Sequence, residues 1–443
     1  MKYMSNTPHS GDRVVVIGGG ATGALCSVVL AEAGFQVIAL EKKAIGNGSS
    51  SRSAACIRAQ FGVRETALGM AYSEYFFDHF HEYMHTPPDQ QCWMIRHNGY
   101  LFLYEDPALY EAGSAKRKEV EAAWAQAQAH ATMHREVDLP VEVLTPAEVY
   151  ARWPHLDSSR LIGATWCPSD GFLNHDQIYQ LGFRRAQELG AVLKQNTEVI
   201  SARVATDRIV ALNTTHGEVE CDWVVNAAGA WSPRVSRSLG GMDLRISPLK
   251  RYLWFLSTRN PEVVAPNKWL DLPMTIYGMG GGRGVYSRPE TKEQLLLGWA
   301  HETPPEPNFV DADQDFVEPT FADIPMGNHA VELMSQVADF SPVLAECGAV
   351  TSITCGYYET TPDHNPMIGF DDGMVNLVHA AGFSGHGLMH APITALLVRE
   401  IMQGAGAEAT VSLPAPFERY SMSLQTFAPD RPIDLGKKEG MVI

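Results

Sequence analysis

The chain has no C-x-x-C pair, and its 7 cysteines, at positions 26, 56, 92, 167, 221, 347 and 355, are scattered and odd in number. A disulfide framework and a zinc knuckle are both poor readings on that basis, and a reducing compartment is favoured. No histidine and carboxylate set has metal-ligand spacing, so no metal is expected. Also missing are an apolar signal core near the start and any uninterrupted apolar run of about 20 residues that could span a bilayer. A cytoplasmic protein without a membrane span is the expectation. Basic residues are few, 34 Lys and Arg against 51 Asp and Glu, for a net charge of −17. Such a surface repels phosphate backbones and anionic lipids, so nucleic acid is not an expected partner, and an anionic small molecule needs a local basic residue to hold it. A nucleophile elbow for Ser-His-Asp catalysis is absent as well.

At 443 residues, 45% hydrophobic and 19% charged, the chain is globular and too long for one ordinary core, which points to two domains. Its most informative stretch comes early. The apolar residues 14–17 run into Gly18, Gly19, Gly20, Ala21, Thr22 and Gly23, and then into an apolar helical segment. Gly18 permits a tight turn, Gly20 lets backbone approach a pyrophosphate, and Gly23 allows close helix–strand packing. The helix N-terminus, at Ala21 and Thr22, offers free N–H groups to the phosphates. A second strand, residues 35–40, ends at Glu41 and Lys42, with Glu41 eighteen residues beyond Gly23. That spacing suits a carboxylate on the ribose hydroxyls of an adenine dinucleotide and disfavours a 2′-phosphate. A lone G-x-G-x-x-G is weak evidence, but here strand, glycines, helix, second strand and acid agree. NAD and FAD remain open on these residues alone.

Further along, the small polar loop 46–53, with Ser49 and Ser50, can cradle phosphates or a planar ring. Residues 72–104 and 112–133 read as an insertion, 175–189 as a helix, and 199–212 as a strand. At 223–232 a second buried strand ends in small residues, through Asn226, Ala227, Ala228, Gly229 and Trp231. Ligands sit at the C-terminal ends of strands in doubly wound sheets, so two such ends imply one ligand touched from both. Residues 250–256, 270–277 and 294–301 read as an antiparallel, substrate-facing sheet, with the glycine run 278–284 as a hairpin tip or mobile loop. A strand at 375–379 leads through a glycine loop into a helix at 393–402.

With the late segments 355–369 and 380–392 in view, the chain resembles the D-amino-acid oxidase-like flavoproteins. Within them it is similar to the branch of monomeric sarcosine oxidase, sarcosine oxidase β subunits and dimethylglycine or proline dehydrogenases. Residues 13–403 are covered, by four ordered motifs: the opening glycines, Asn226 to Ser232, Thr361-Pro362-Asp363, and the loop Gly382, Phe383, Ser384, Gly385, His386, Gly387. The expected fold is α/β (α+β): a doubly wound Rossmann-like FAD-binding domain (11–82, 155–245 and 340–410) and an antiparallel-sheet substrate domain (83–154 and 246–339). Residues 411–443 are expected to form an irregular tail. The resemblance implies FAD, with Glu41 on the ribose and Val199 near the adenine. Ser49, Ser50, Ala228, Gly229, Trp231, Gly356, Asp363 and the Gly382–Gly387 loop are implied around the phosphates and ring.

It also implies oxidation of a C–N bond beside a carboxylate, by hydride transfer to flavin and hydrolysis of the imine. Arg58 matches the carboxylate-binding arginine, whose fork suits two parallel hydrogen bonds. His386 is a candidate base or a hydrogen-bonding brace, and Tyr358 a further catalytic candidate, with His301, His364 and His390 weaker. Gly356 stands where monomeric sarcosine oxidase carries its flavin-linking cysteine, so non-covalent FAD is expected. Leu296 and Met389 replace two lysines of that enzyme. The acceptor is therefore oxygen or an electron-acceptor protein or quinone, with Lys250, Arg251 or Arg283 as substitute charges. A small-molecule amine or amino acid other than plain sarcosine is the expected substrate, and an oligomer or partner subunit is possible in this family. Oxidation of a 2-hydroxy acid, or a non-catalytic flavoprotein subunit or assembly factor, are the alternatives.

Overall fold

A computed structural model describes residues 7–258, 261–280, 284–299, 329–346, 348–434, 436 and 438–441. Its first sheet forms around the apolar opening strand Arg13–Ile17, which pairs in parallel with Gln36–Leu40 on one side and Trp223–Asn226 on the other. Leu377–Ala381 and Val192–Lys194 extend the sheet in parallel, and the edge strand Met367–Phe370 runs antiparallel. Side chains alternate between the two faces of a strand. Val14 and Val16 accordingly enter the core shared with Leu25, Ile178 and Leu396, which come from the helices Ala21–Glu32, His175–Glu188 and Gly387–Met402. Val15 and Ile17 face the opposite way, against Ile209, Leu212 and Val219.

That opposite face is covered by a three-stranded antiparallel sheet, Val199–Ala205, Arg208–Thr214 and Gly217–Glu220. The segment 199–212, expected as one strand, is thus a hairpin. Its turn at Thr206 and Asp207 lacks the Asn-Gly signal that marks such turns, and Thr206 itself takes φ 63°. The late helix begins at Gly387, not near residue 393 as expected, because Pro392 lies inside it and does not open it.

The second sheet has eight strands, in the order Val350–Thr360, Ser247–Ser257, Gln294–Trp299, Val285–Thr291, Met274–Met279, Tyr100–Glu105, Leu161–Cys167 and Glu142–Leu144. It is antiparallel as expected except where Met274–Met279 runs parallel to Tyr100–Glu105. Leu161–Cys167 and Val350–Thr360 belong to this sheet, although the sequence reading assigned both segments to the cofactor-binding unit. Strand patterning announces a strand but not its partner. Met274–Met279 and Val285–Thr291 pair antiparallel, while residues 281–283 of the glycine run lie outside the described residues. Arg283 and His301 lie outside the described residues. The tail also carries order beyond expectation: Thr410–Ser412 and Ser421–Ser423 form a two-stranded ladder. Among the described residues no helix is long and apolar enough to cross a membrane.

A buried polar chain fixes the end of the Trp223–Asn226 strand. Asp371, fully buried, accepts N–H bonds from Met242, Gly373 and Met374, each at 2.7 Å, and lies 2.9 Å from His379 Nε2. His379 Nδ1 lies 3.3 Å from Asn226 Nδ2, and the Asn226 side-chain oxygen accepts from Ala228 N–H. Burial alone would raise the Asp371 carboxyl, yet His379 and the N–H groups hold it below the ordinary range. Asp371→Ala leaves several buried donors without an acceptor, so we expect a loss of about 3–5 kcal/mol. Thermal melts of parent and variant at neutral pH measure it.

Candidate active site

The turn after the opening strand is dictated by backbone crowding. Gly18 sits at φ +124°, and a Cβ there would lie 2.3 Å from the Ala227 carbonyl oxygen. A Cβ at Gly23 would lie 2.0 Å from the Gly18 carbonyl oxygen. Neither position accepts a side chain without moving backbone, so the helix Ala21–Glu32 starts hard against both strand ends. Its N-cap residue, Gly20, has no side chain to cap it. Ser50 Oγ accepts from Ala21 N–H at 3.1 Å, while the Glu41 carboxylate accepts from Gly19 N–H at 2.7 Å and Lys43 N–H at 2.8 Å. Burial nonetheless raises the Glu41 carboxyl above its ordinary value.

These groups open onto a cavity of about 480 Å³. Glu41, Lys42 and Val199 line it. Gly18, Gly20, Ala21, Thr22, Ser49, Ser50, Ala228, Gly229 and Trp231 line it too, with Gly356, Tyr358, Phe383, Gly385, His386 and Gly387 beside Arg58. The structure therefore gathers most of the expected site residues at one cavity. Four stand behind it. Gly23 serves helix packing, and Ser384 Oγ accepts from Thr361 N–H at 3.1 Å. Gly382 donates its N–H to Glu359 at 2.8 Å. Asp363 does not reach the cavity: its carboxylate pairs with Arg431 at 2.8 and 2.9 Å and holds the tail. A Thr-Pro-Asp turn gives no hint of a distant arginine, which is why sequence alone placed it at the cofactor.

Arg58 is buried, at 2% exposure. It donates to the Gln60 carbonyl at 2.7 Å and to the Met441 carbonyl, and its guanidinium lies 4.0 Å from the Phe61 ring centre. The loop that carries it is pinned by Asp170, which accepts from Ala59 N–H at 2.7 Å and from the Gln60 side chain at 3.0 Å. Glu74 packs against Asp170; burial, then the Asp170 charge, raises the Glu74 carboxyl well above its ordinary value, so that pair retains a proton. His386 meets the same Phe61 ring edge-on, with ring centres 4.9 Å apart. Both of its ring nitrogens are buried and without a hydrogen-bond partner among the described residues. Burial, aided by His390 and Arg58, pushes its pKa well below the usual histidine value, so the ring is neutral. His390 stands behind it, also driven down by burial, to about 4, with Nδ1 3.1 Å from the His386 carbonyl. His364 Nδ1 lies 3.3 Å from the Glu439 carbonyl oxygen, away from the cavity wall.

The wall residues that the sequence does not mark as site groups include Tyr100, Tyr286 and Glu359. Arg251, named there only as a substitute charge, lines the cavity and lies 5.6 Å from the Tyr358 ring centre. Leu296 is instead buried in the apolar cluster around Tyr286 and Leu253, so the missing lysine there does not leave the wall without a cation. Met389 does line the cavity, as does Cys56, whose thiol burial pushes up to about 12. Glu359 faces the cavity, and burial raises its carboxyl to about 8 against the N–H groups of Gly382 and Phe383. The motif Tyr357-Tyr358-Glu359 was in view, but nothing local shows that the acid turns inward. The crowded glycine turn and the helix start that follows it, with a glycine at its N-cap, fit a dinucleotide diphosphate.

A parallel sheet whose two strand ends meet at such a cavity, with Tyr100, Arg251 and Tyr286 of the second sheet in its wall, is the architecture of a dinucleotide-binding protein. The chain matches the model of the FAD dependent oxidoreductase (DAO) family over residues 13–401, and it belongs to that family. It is 26% identical to glycine oxidase of Geobacillus kaustophilus, across 88% of this chain and 92% of that protein. It is 23% identical to FAD-dependent oxidoreductase domain-containing protein 1 of Xenopus laevis, across 92% of this chain and 82% of that one. L-proline dehydrogenase from P. horikoshii superposes with a TM-score of 0.73 at 26% identity, covering 89% of this chain and 93% of the other. The chain is thus an FAD-dependent enzyme of the oxidoreductase class.

The Glu359 carboxyl, near 8 in the fold against an ordinary 4.5, binds an extra proton in the native state between those values. Its contribution to stability therefore falls as pH rises from about 4.5 to about 8 and is level above that. Glu359→Gln removes that slope, so the ligand-free variant should gain on the parent in melting temperature between about pH 5 and about pH 9. Parallel melts across that range show it.

Proposed function

We propose that this protein oxidises the C–N bond of an amino acid or N-substituted amine bearing an anionic group, with FAD held non-covalently. The observation that carries the reading is the placement of Arg58 and His386 against one Phe61 ring at the cavity wall. A buried guanidinium there suits a substrate carboxylate, and a buried neutral imidazole beside it suits the amine. Glycine oxidase and L-proline dehydrogenase, among the chain's relatives, bear names of the same chemistry.

Arg58 orients the substrate by its carboxylate, which fixes the neighbouring carbon. His386 accepts a hydrogen bond or proton from the substrate nitrogen, leaving a lone pair to form the C=N bond as the C–H bond breaks. Bound FAD supplies the acceptor for the two electrons and the hydrogen that leave that carbon. Water then hydrolyses the C=N product to a carbonyl compound and an amine. Tyr358, whose hydroxyl is kept protonated by burial, closes the chamber with Tyr286 and Arg251. The Cys56 thiol, raised to about 12, stays protonated and is a poor nucleophile for a covalent flavin link.

Anaerobic mixing with N-methyl, cyclic and D-amino acids should bleach the flavin, while hydroxy acids of the same size should not. Bleaching by hydroxy acids alone would overturn the C–N assignment. Arg58→Lys keeps the charge and loses the fork, so KM for the carboxylated amine should rise about tenfold or more, with a smaller effect on kcat and unchanged FAD content. Steady-state kinetics on both proteins decide it.

A further inference from the structure

The tail's last described residues, 438–441, return to the loop that carries Arg58. Glu439 is fully buried, and its carboxylate accepts N–H bonds from Gly62 at 2.9 Å, Val63 at 2.8 Å and Met441 at 2.9 Å. Val63 precedes the helix Arg64–Asp78, which has no side-chain cap of its own, so Glu439 supplies the acceptor that this helix start lacks. Glu439 N–H also donates to the Asp363 carbonyl at 2.9 Å. The Asp363–Arg431 ion pair anchors the chain upstream. The Met441 side chain packs with Cys56, Tyr100 and Phe102, and its carbonyl accepts from Arg58.

Arg58 is thereby clamped in three directions: the Gln60 carbonyl from its own loop, the Met441 carbonyl from the tail, and the Phe61 ring on its face. A guanidinium binds a carboxylate through two parallel bonds only when its plane is correctly turned. Without the tail, the loop 58–63 loses three hydrogen bonds at once, from Arg58, Gly62 and Val63, and the fork is free to rotate.

We propose that Glu439 is a positioning residue of the substrate site, which seats the tail so that the Met441 carbonyl sets the plane of the Arg58 fork for a substrate carboxylate. This rests on the reading of Arg58 given above. Glu439 itself touches neither substrate nor cofactor.

The test uses the full-length FAD-loaded enzyme with acetate as the probe, its binding read from perturbation of the flavin absorption band, and acetamide as the uncharged control. Glu439→Gln should weaken acetate about tenfold, one lost charge-assisted bond's worth of orientation, while FAD content and acetamide binding stay at the parent's level. Glu439→Asp should recover part of the loss. If Glu439→Gln does not fold, Met441→Ala, which removes the apolar anchor and keeps the carbonyl, should show the same selective loss of acetate. Acetate binding at parental strength in the variants would overturn the proposal, and tighter binding would too, since the tail would then be competing with the anion. Arg58→Lys separates the two readings. If it binds acetate as the parent does, Arg58 is not the anion site; if it loses acetate while the Glu439 variants do not, only the positioning role fails.

Discussion

The register of the opening strand is the constraint on which the site depends. Ile17 stands level with Leu40 on one side and Asn226 on the other, so all three strands end at one height. Gly18 N–H bonds the Leu40 carbonyl and Ala227 N–H bonds the Ile17 carbonyl, both at 2.9 Å. Because Gly18 then lies against Ala227 backbone, and Gly23 against Gly18, the helix start, the acid at the end of the second strand and the small residues after the third all face one space. Shifting any of these strands by one residue would turn its apolar set to the wrong face and pull its end away from the cavity.

Around this frame the wall carries charges that the protein tunes by burial. Glu359 is driven up to about 8 and His386 well down, so near neutral pH both tend to the uncharged form. The guanidiniums of Arg58 and Arg251 stand in the same wall. A chamber that holds fixed cations beside neutral acid and base groups suits an anionic substrate whose nitrogen must lose a proton. The net charge of −17 makes that local arrangement the more necessary, since the rest of the surface repels anions.

The opening βαβ unit, the second strand end and the late glycine loop were legible in the sequence because each is written in contiguous residues with a mechanism of its own: an apolar run, glycines where backbone crowds, an acid at a set distance. What stayed hidden is what joins distant residues. The hairpin at Thr206 carries no Asn-Gly turn, Asp363 answers to Arg431 and not to the cofactor, and Leu161–Cys167 pairs across to Tyr100–Glu105. The tail read as irregular for the same reason, since the value of Glu439 lies in N–H groups some 376 positions away. Arg58 stands out in the sequence as a candidate, but its clamping by Met441 does not.

We propose that one cavity holds a whole dinucleotide, with Glu41 and Val199 toward its adenosine half and Arg58 and His386 toward the reacting half. The most direct measurement is a fluorescence titration of flavin-free protein with FAD and, separately, with FMN, which lacks the adenosine half. Because the two halves bind as one tethered ligand, FAD should bind on the order of 10²–10⁴ times more tightly than FMN. Equal affinity for the two would mean that the glycine turn and Glu41 do not hold the adenosine half, and would contradict the account.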